Sequence, residues 1–286
     1  MKIFMHWDME GTSGLFTREQ VWYWEPGVRP EAEEEGKQLL IADINSAVAA
    51  ALEAGADEVI VCDTHHGGGN TRIEAMLPDR RVTYHVKPRL IANGLARWMP
   101  GLDESVDGLM LMGHHAKSGT PSSFLPHTWM SEWTDFRING CSVGEVGIEA
   151  CYGAHFGVPL VCVQGDRAFR LEMEEQFPHA VAVEVKEAVS HDLCRGPSAE
   201  EGRRRTAEGV AEAIARLRRK GPPVFKPDLP ITVHIETRTV EGAEALAQKP
   251  TVMRTGDREV AYRVDRHCDI VRHVAKAGLD LPVDAK

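Results

Sequence analysis

The sequence predicts an α/β fold: a mostly parallel, doubly wound sheet with a smaller C-terminal α+β extension. Two observations carry that expectation. Short apolar and β-branched runs alternate with amphipathic stretches through the first half, and a looser, proline-marked region follows. Lys2–Trp7 opens the chain as a short apolar strand that stops at Asp8. Ala32–Glu53 is expected to be helical, because Leu40, Ile44, Val48 and Leu52 recur every fourth residue and Gly55 stands at a C-cap position. Glu58–Cys62 reads as a strand from its β-branched content, and Val82–Val86 as a shorter one. Gly108–Met112 is a further strand candidate, although its Leu and Met also suit a helix. Val143–Phe156 reads as a helix and Val158–Val163 as a buried strand.

The remainder is plainer. Ala180–Val189 is expected as a strand and Ser198–Lys220 as a long helix, with Ser198 as N-cap and Glu200 and Glu201 in the first turn. Arg216, Arg218, Arg219 and Lys220 crowd its C-terminus, where the helix macrodipole favours positive charge; an anion site is the alternative. The Gly221–Pro230 stretch reads as a linker. Strand Ile231–Glu236, a short helix, strand Glu259–Val264 and a last helix follow. The expected division is a catalytic α/β domain over 1–178 and a smaller α+β region over 179–286, assigned to assembly.

Composition narrows the function classes. The chain has 286 residues, 33 Lys+Arg against 43 Asp+Glu, and a formal charge of −10. That balance argues against nucleic-acid partners, which demand a concentrated positive surface. The first residues, MKIFMHWDMEG, contain no apolar signal core, and no run of roughly 18 apolar residues offers a membrane span. Six scattered cysteines without a CxxC pair read as reduced, mostly buried thiols, so the expected location is cytoplasmic. A GxxxxGK[ST] loop and a GxSxG elbow are both missing, which counts against phosphate transfer from nucleotides and against a serine hydrolase.

The chemistry gathers where the strands are expected to end. Asp8 and Glu10 close the first strand, Asp63 and His65 the second, and His114-His115 the strand at Gly108–Met112. In an open parallel sheet the carboxyl ends share one edge, and ligands bind there. Carboxylates and imidazoles converging on one crevice are the donor set of zinc or a similar divalent ion. In the extended Asp8-Met9-Glu10 both carboxylates lie on one side, where they repel unless a cation or proton stands between them. The competing reading is that both merely cap the turn around Gly11 and Gly14. Adjacent histidines in extended chain point opposite ways, so only one of His65-His66 and one of His114-His115 should reach the crevice easily. Spacing does not say which. His6, with most other histidines, reads as a packing or surface residue. The segment Lys117–Asn139 reads as a long loop whose aromatic residues line a pocket or a subunit contact, or simply pack on themselves. Glu145, between glycines at a helix start, is either a charge complementing the dipole or a further metal ligand.

Taken together, DMEGTSG at Asp8–Gly14, DTH at Asp63–His65, GHHA at Gly113–Ala116, TP…H from Thr120 to His127, VGE at Val143–Glu145 and QGDRA at Gln164–Ala168 resemble the zinc-dependent D-aminopeptidases. These are bacterial metallopeptidases often encoded with dipeptide-transport genes. The resemblance is clear to about residue 178 and fainter, in the same order, beyond it. It implies two Zn2+ ions per subunit: Asp8 bridging, Glu10 and His115 on one ion, His65 and Glu145 on the other. His127 matches the catalytic histidine, in a loop that is one residue longer than the family pattern. Asp63 is a candidate for orienting a liganding imidazole, or else a turn aspartate. The resemblance further implies a homo-oligomer, a decamer with inward-facing sites, acting on short D-peptides such as D-Ala-D-Ala. The alternatives are a two-metal amidase or L-aminopeptidase, since one metal site hosts many chemistries, or a non-catalytic metal- or peptide-binding protein.

Overall fold

The computed structural model describes residues 1–86, 96–274 and 279–280. Along the chain run β1 (Lys2–Trp7), α1 (Arg18–Val21), α2 (Glu31–Glu53), β2 (Glu58–Asp63), β3 (Val82–His85), β4 (Ala96–Arg97) and β5 (Gly108–Met112). Next come β6 (Trp133–Ile138), β7 (Cys141–Ser142), α3 (Glu145–Ala154), β8 (Leu160–Asp166), α4 (Arg167–Gln176), β9 (Val181–Ser190) and β10 (Leu193–Arg195). The chain continues through α5 (Ala199–Arg219), β11 (Ile231–Thr237), α6 (Val240–Ala247), β12 (Met253–Arg254), β13 (Glu259–Val264) and β14 (Leu279–Asp280).

The expected doubly wound sheet is present, with order β10-β9-β8-β5-β1-β2-β3. Every neighbour pair in it is parallel except β10 with β9. The strand order reverses at β1: β2 and β3 extend the sheet to one side, β5, β8 and β9 to the other. Open α/β sheets bind ligands at such a switch point. On one face α2 and α5 bury Leu40, Ile44, Val48, Val210 and Ile214 against Ile3, Met5 and Trp7. The i+4 stripe thus covers the core as expected, Gly55 takes a φ of 91°, and the Ser198 hydroxyl caps α5 by accepting from Glu201 N at 3.2 Å.

On the other face lies α3, buried at every residue from Val146 to Ala154. A helix buried all round needs apolar partners on both sides. The main sheet supplies one through Phe4, Leu109 and Leu111, and a second, five-stranded sheet of order β12-β13-β11-β6-β7 supplies the other through Phe136, Ile138, Val233 and Val260. This second sheet is antiparallel.

Three expectations are corrected. The sheets do not divide at residue 178, because β9, β10 and α5 complete the main layer while β6 and β7 belong to the second sheet. The Lys117–Asn139 loop contains β6, whose Trp133, Phe136 and Ile138 are buried against α3 and β11 and whose alternation was masked by the flanking aromatic residues. In place of the last helix, the described residues hold a 3-10 turn at His267–Asp269; residues 275–278 and 281–286 lie outside them. No helix among the described residues is long and apolar enough to cross a membrane.

A buried amide ties the helices to the functional edge. Gln164 Nε2 donates to Asp43 Oδ2 on α2 at 2.7 Å and to Thr206 Oγ1 on α5 at 2.9 Å, while its carbonyl accepts from Gly113 N at 3.1 Å. Burial pushes the Asp43 carboxyl up from its ordinary range, so its donors matter. Gln164→Leu strips a partner from Asp43, Thr206 and Gly113 N at once. Urea unfolding should show a stability loss of about 1–3 kcal/mol.

Candidate metal centre

The loops after β1 and β5 meet through their backbones. Asp8 N donates to Met112 O at 2.9 Å and Gly11 N to Gly113 O at 2.6 Å. A Cβ on Gly11 would stand 2.3 Å from the His114 carbonyl, and one on Gly113, at φ 69°, would stand 2.2 Å from the Asp8 carbonyl. Only glycine allows that approach. It brings Asp8 and Glu10 against the histidines that follow β2 and β5, as the sequence predicted.

Asp8 sits at the middle. His65 Nδ1 lies 2.7 Å from its Oδ1, and His115 Nε2 lies 3.4 Å from its Oδ2. His65 Nδ1 is also 3.3 Å from Glu10 Oε2, and His115 Nε2 is 3.2 Å from Glu145 Oε1. His127 stacks on His115 with centroids 3.8 Å apart, its Nε2 3.5 Å from Glu145 Oε1. Donor atoms of three triads each lie within 4.8 Å of one another: Asp8, Glu10 and His65; Asp8, His115 and Glu145; Glu10, His115 and His127.

The backbone decides which ring nitrogen faces the acids. His65 Nε2 lies 3.1 Å from Val21 O, His115 Nδ1 lies 3.0 Å from Ala116 O, and His127 Nδ1 lies 2.8 Å from Leu125 O. A carbonyl only accepts, so each of those nitrogens carries its hydrogen there. The opposite nitrogen of each neutral ring then presents a lone pair to a carboxylate. Lone pair against anion is repulsive unless a proton or a metal ion lies between. Glu10 Oε2 and His115 Nε2 are buried without any hydrogen bond, which is the signature of donors awaiting such an ion.

The electrostatics agree. Burial alone would raise Asp8, but its contacts to His115 and His65 hold it well below the usual carboxylate range. Burial opposes charge on His65 and His115 too, yet the surrounding carboxylates push both well above the usual imidazole range. Burial, reinforced by the charge of His115, lowers His127. The donor set of carboxylates and imidazoles fits zinc or another borderline divalent ion.

His65 and Glu145, expected on one ion, share no triad. The reason is strand order: β2 and β5 flank β1 on opposite sides, so His65 reaches one Asp8 oxygen while His115, with Glu145, reaches the other. Asp63 directs its hydrogen bonds to Asn70 and Thr71 and not to the His65 ring. It accepts from Asn70 N and Nδ2 and from Thr71 N at 2.7, 2.8 and 3.1 Å, and Asn70 Nδ2 in turn holds the His65 carbonyl at 2.7 Å. It therefore organises the loop that carries the histidine.

Sequence reasoning missed the groups that hold the acids. Trp22 Nε1 donates to Glu10 Oε1 at 2.8 Å and Trp129 N to Glu145 Oε1 at 2.7 Å. The aromatic wall is built largely from 22–24: Trp22 meets the edge of His127, and Trp24 stacks on His66 at 3.9 Å. Nothing in the spacing of Trp22 signals that role, because its approach depends on the α1 turn.

Comparisons with known proteins find relatives over nearly the whole chain. A family model described as D-aminopeptidase matches residues 1–275. A D-aminopeptidase from Bacillus subtilis strain 168 is 30% identical over 265 residues, covering 92% of this chain and 91% of the relative. A solved structure, the Zn-dependent D-aminopeptidase DppA from Bacillus subtilis, described as a self-compartmentalizing protease, is similar with a TM-score of 0.85 at 26% identity. The match covers 96% of this chain and 95% of that one.

Removing the Trp22 indole leaves Glu10 without its donor. Trp22→Phe should weaken zinc affinity by about 10–100-fold, the usual effect of losing a partner behind a ligand. Competition with a chromophoric chelator measures it.

Proposed function

The chain belongs to the D-aminopeptidase family, and from that premise we propose that it is a metallo-aminopeptidase with two zinc ions that removes the N-terminal residue of short D-amino-acid peptides. The observation that carries the reading is Asp8, with His65 on one carboxylate oxygen and His115 on the other. In this reading Asp8, Glu10 and His65 would hold one ion, and Asp8, His115 and Glu145 the other. When bound, the ions supply Lewis acidity to the scissile carbonyl and lower the pKa of a water.

The side chains supply the rest. With Nδ1–H held by the Leu125 carbonyl, neutral His127 offers Nε2 as a proton acceptor. Its lowered pKa keeps it in that form. It takes a proton from the attacking water and returns it to the leaving amine, which then departs neutral. The stack on His115 and the Trp22 edge fix the ring for both transfers. The acidic edge of Glu10 and Glu145 suits a substrate with a free ammonium group.

The DppA neighbour is described as self-compartmentalizing. A homo-oligomer, a decamer by the family resemblance, would confine this chain's sites in the same manner and limit substrates to short peptides. Light scattering reads the assembly size.

Zinc-loaded protein should cleave D-Ala-D-Ala, spare L-Ala-L-Ala, and lose activity to a chelator. Cleavage of the L-peptide alone, or of neither, moves the substrate to another amide. His127→Ala should lower turnover by about 10²–10⁴-fold while zinc content by mass spectrometry stays that of the wild type. Zinc loss in that variant would make His127 a ligand, as its triad with Glu10 and His115 permits. Asp8→Asn should empty both positions; retained zinc would overturn the bridging role.

A further inference from the structure

Beneath the Asp8 centre lies a second group of donors that the proposed reaction does not use. His6 on β1, His114 after β5 and Glu149 on α3 are 1%, 1% and 2% exposed. His6 Nδ1 stands 3.1 Å from Glu149 Oε1, and His114 Nε2 stands 3.1 Å from Glu149 Oε2. One donor atom from each residue lies within 4.8 Å of the others. Yet these close approaches are not aligned as hydrogen bonds. Both nitrogens of His6, both nitrogens of His114, and Glu149 Oε2 have no hydrogen-bond partner.

Five buried atoms without an aligned hydrogen bond demand a physical account, since such atoms are costly to bury and a buried charge more so. Donors that converge on a common ion give one. Zinc bonds of ~2.0–2.2 Å in a tetrahedron place neighbouring donor atoms roughly 3–3.5 Å apart, with lone pairs aimed at the centre and not at each other. Two imidazoles with one carboxylate form a zinc-type set, and imidazole disfavours magnesium and calcium.

We infer that His6, His114 and Glu149 bind a further divalent zinc-type ion, separate from the ions of the Asp8 centre. Three protein ligands leave a fourth position for water. The two sites adjoin: His114 Nδ1 lies 3.9 Å from Asp8 Oδ2, and Glu149 follows Glu145 by one turn of α3. The ion therefore joins β1, the loop after β5 and α3, the three elements that position Asp8, His115 and Glu145. The three side chains are almost wholly buried and the Phe169 ring stacks on His114 with centroids 6.5 Å apart, so the role of the ion is structural.

The test is zinc stoichiometry of the full-length protein, loaded with zinc and freed of excess by gel filtration. Glu149→Gln and His6→Asn should each bind one equivalent less per chain than wild type. Equal stoichiometry in a variant with a native circular dichroism spectrum overturns the site. If both variants misfold, wild-type crystals decide. Anomalous scattering on both sides of the zinc edge should show a peak bonded to His6, His114 and Glu149. No peak there, whatever the Asp8 centre holds, overturns the inference and leaves a metal-free ion triad. A peak there with none at Asp8 would instead sink the two-zinc reading and leave this one standing.

Discussion

The structure depends on a repulsion. The buried carboxylates of Asp8 and Glu10 and the partly buried one of Glu145 are set against imidazoles whose hydrogens are already committed to the Val21, Ala116 and Leu125 carbonyls. Each ring is thereby turned so that its lone pair meets an anion. Such an arrangement is stable only with positive charge between the groups, supplied by protons or by metal ions. Backbone carbonyls, not side chains, impose it. That makes the centre a property of three loops and of the sheet edge that carries them.

The edge itself follows from chain order. Reversal at β1 places the loops after β2 and β5 on either side of Asp8, and glycines at 11 and 113 let the loop backbones close to hydrogen-bonding distance. The second sheet contributes from the far side. By covering α3 it buries the helix whose first turn carries Glu145 and whose second carries Glu149. A layer that contributes no side chain to the Asp8 cluster thus determines how dry the foundation of that cluster is.

The family comparisons and the geometry constrain different things. Membership in the D-aminopeptidase family concerns reaction class. The geometry concerns which oxygen meets which nitrogen: it sets His65 on one Asp8 oxygen and His115, with Glu145, on the other. Asp63 likewise keeps its importance but changes its target, from an imidazole to the loop bearing it.

Local pattern was enough for the parallel sheet, through short β-branched runs and the i+4 stripe of α2, and for the meeting of most of the groups around Asp8, through acids and histidines that fall at strand ends. Strand ends of a parallel sheet share an edge, so local pattern is enough to predict their meeting. Long-range packing set the orientation of each imidazole, the grip of Trp22 on Glu10, the place of β6, and the convergence of His6, His114 and Glu149. Those depend on contacts between segments far apart in sequence. Glu149 alone left a trace, one helical turn beyond Glu145, and its partners His6 and His114 reach it only because α3 packs across β1 and β5.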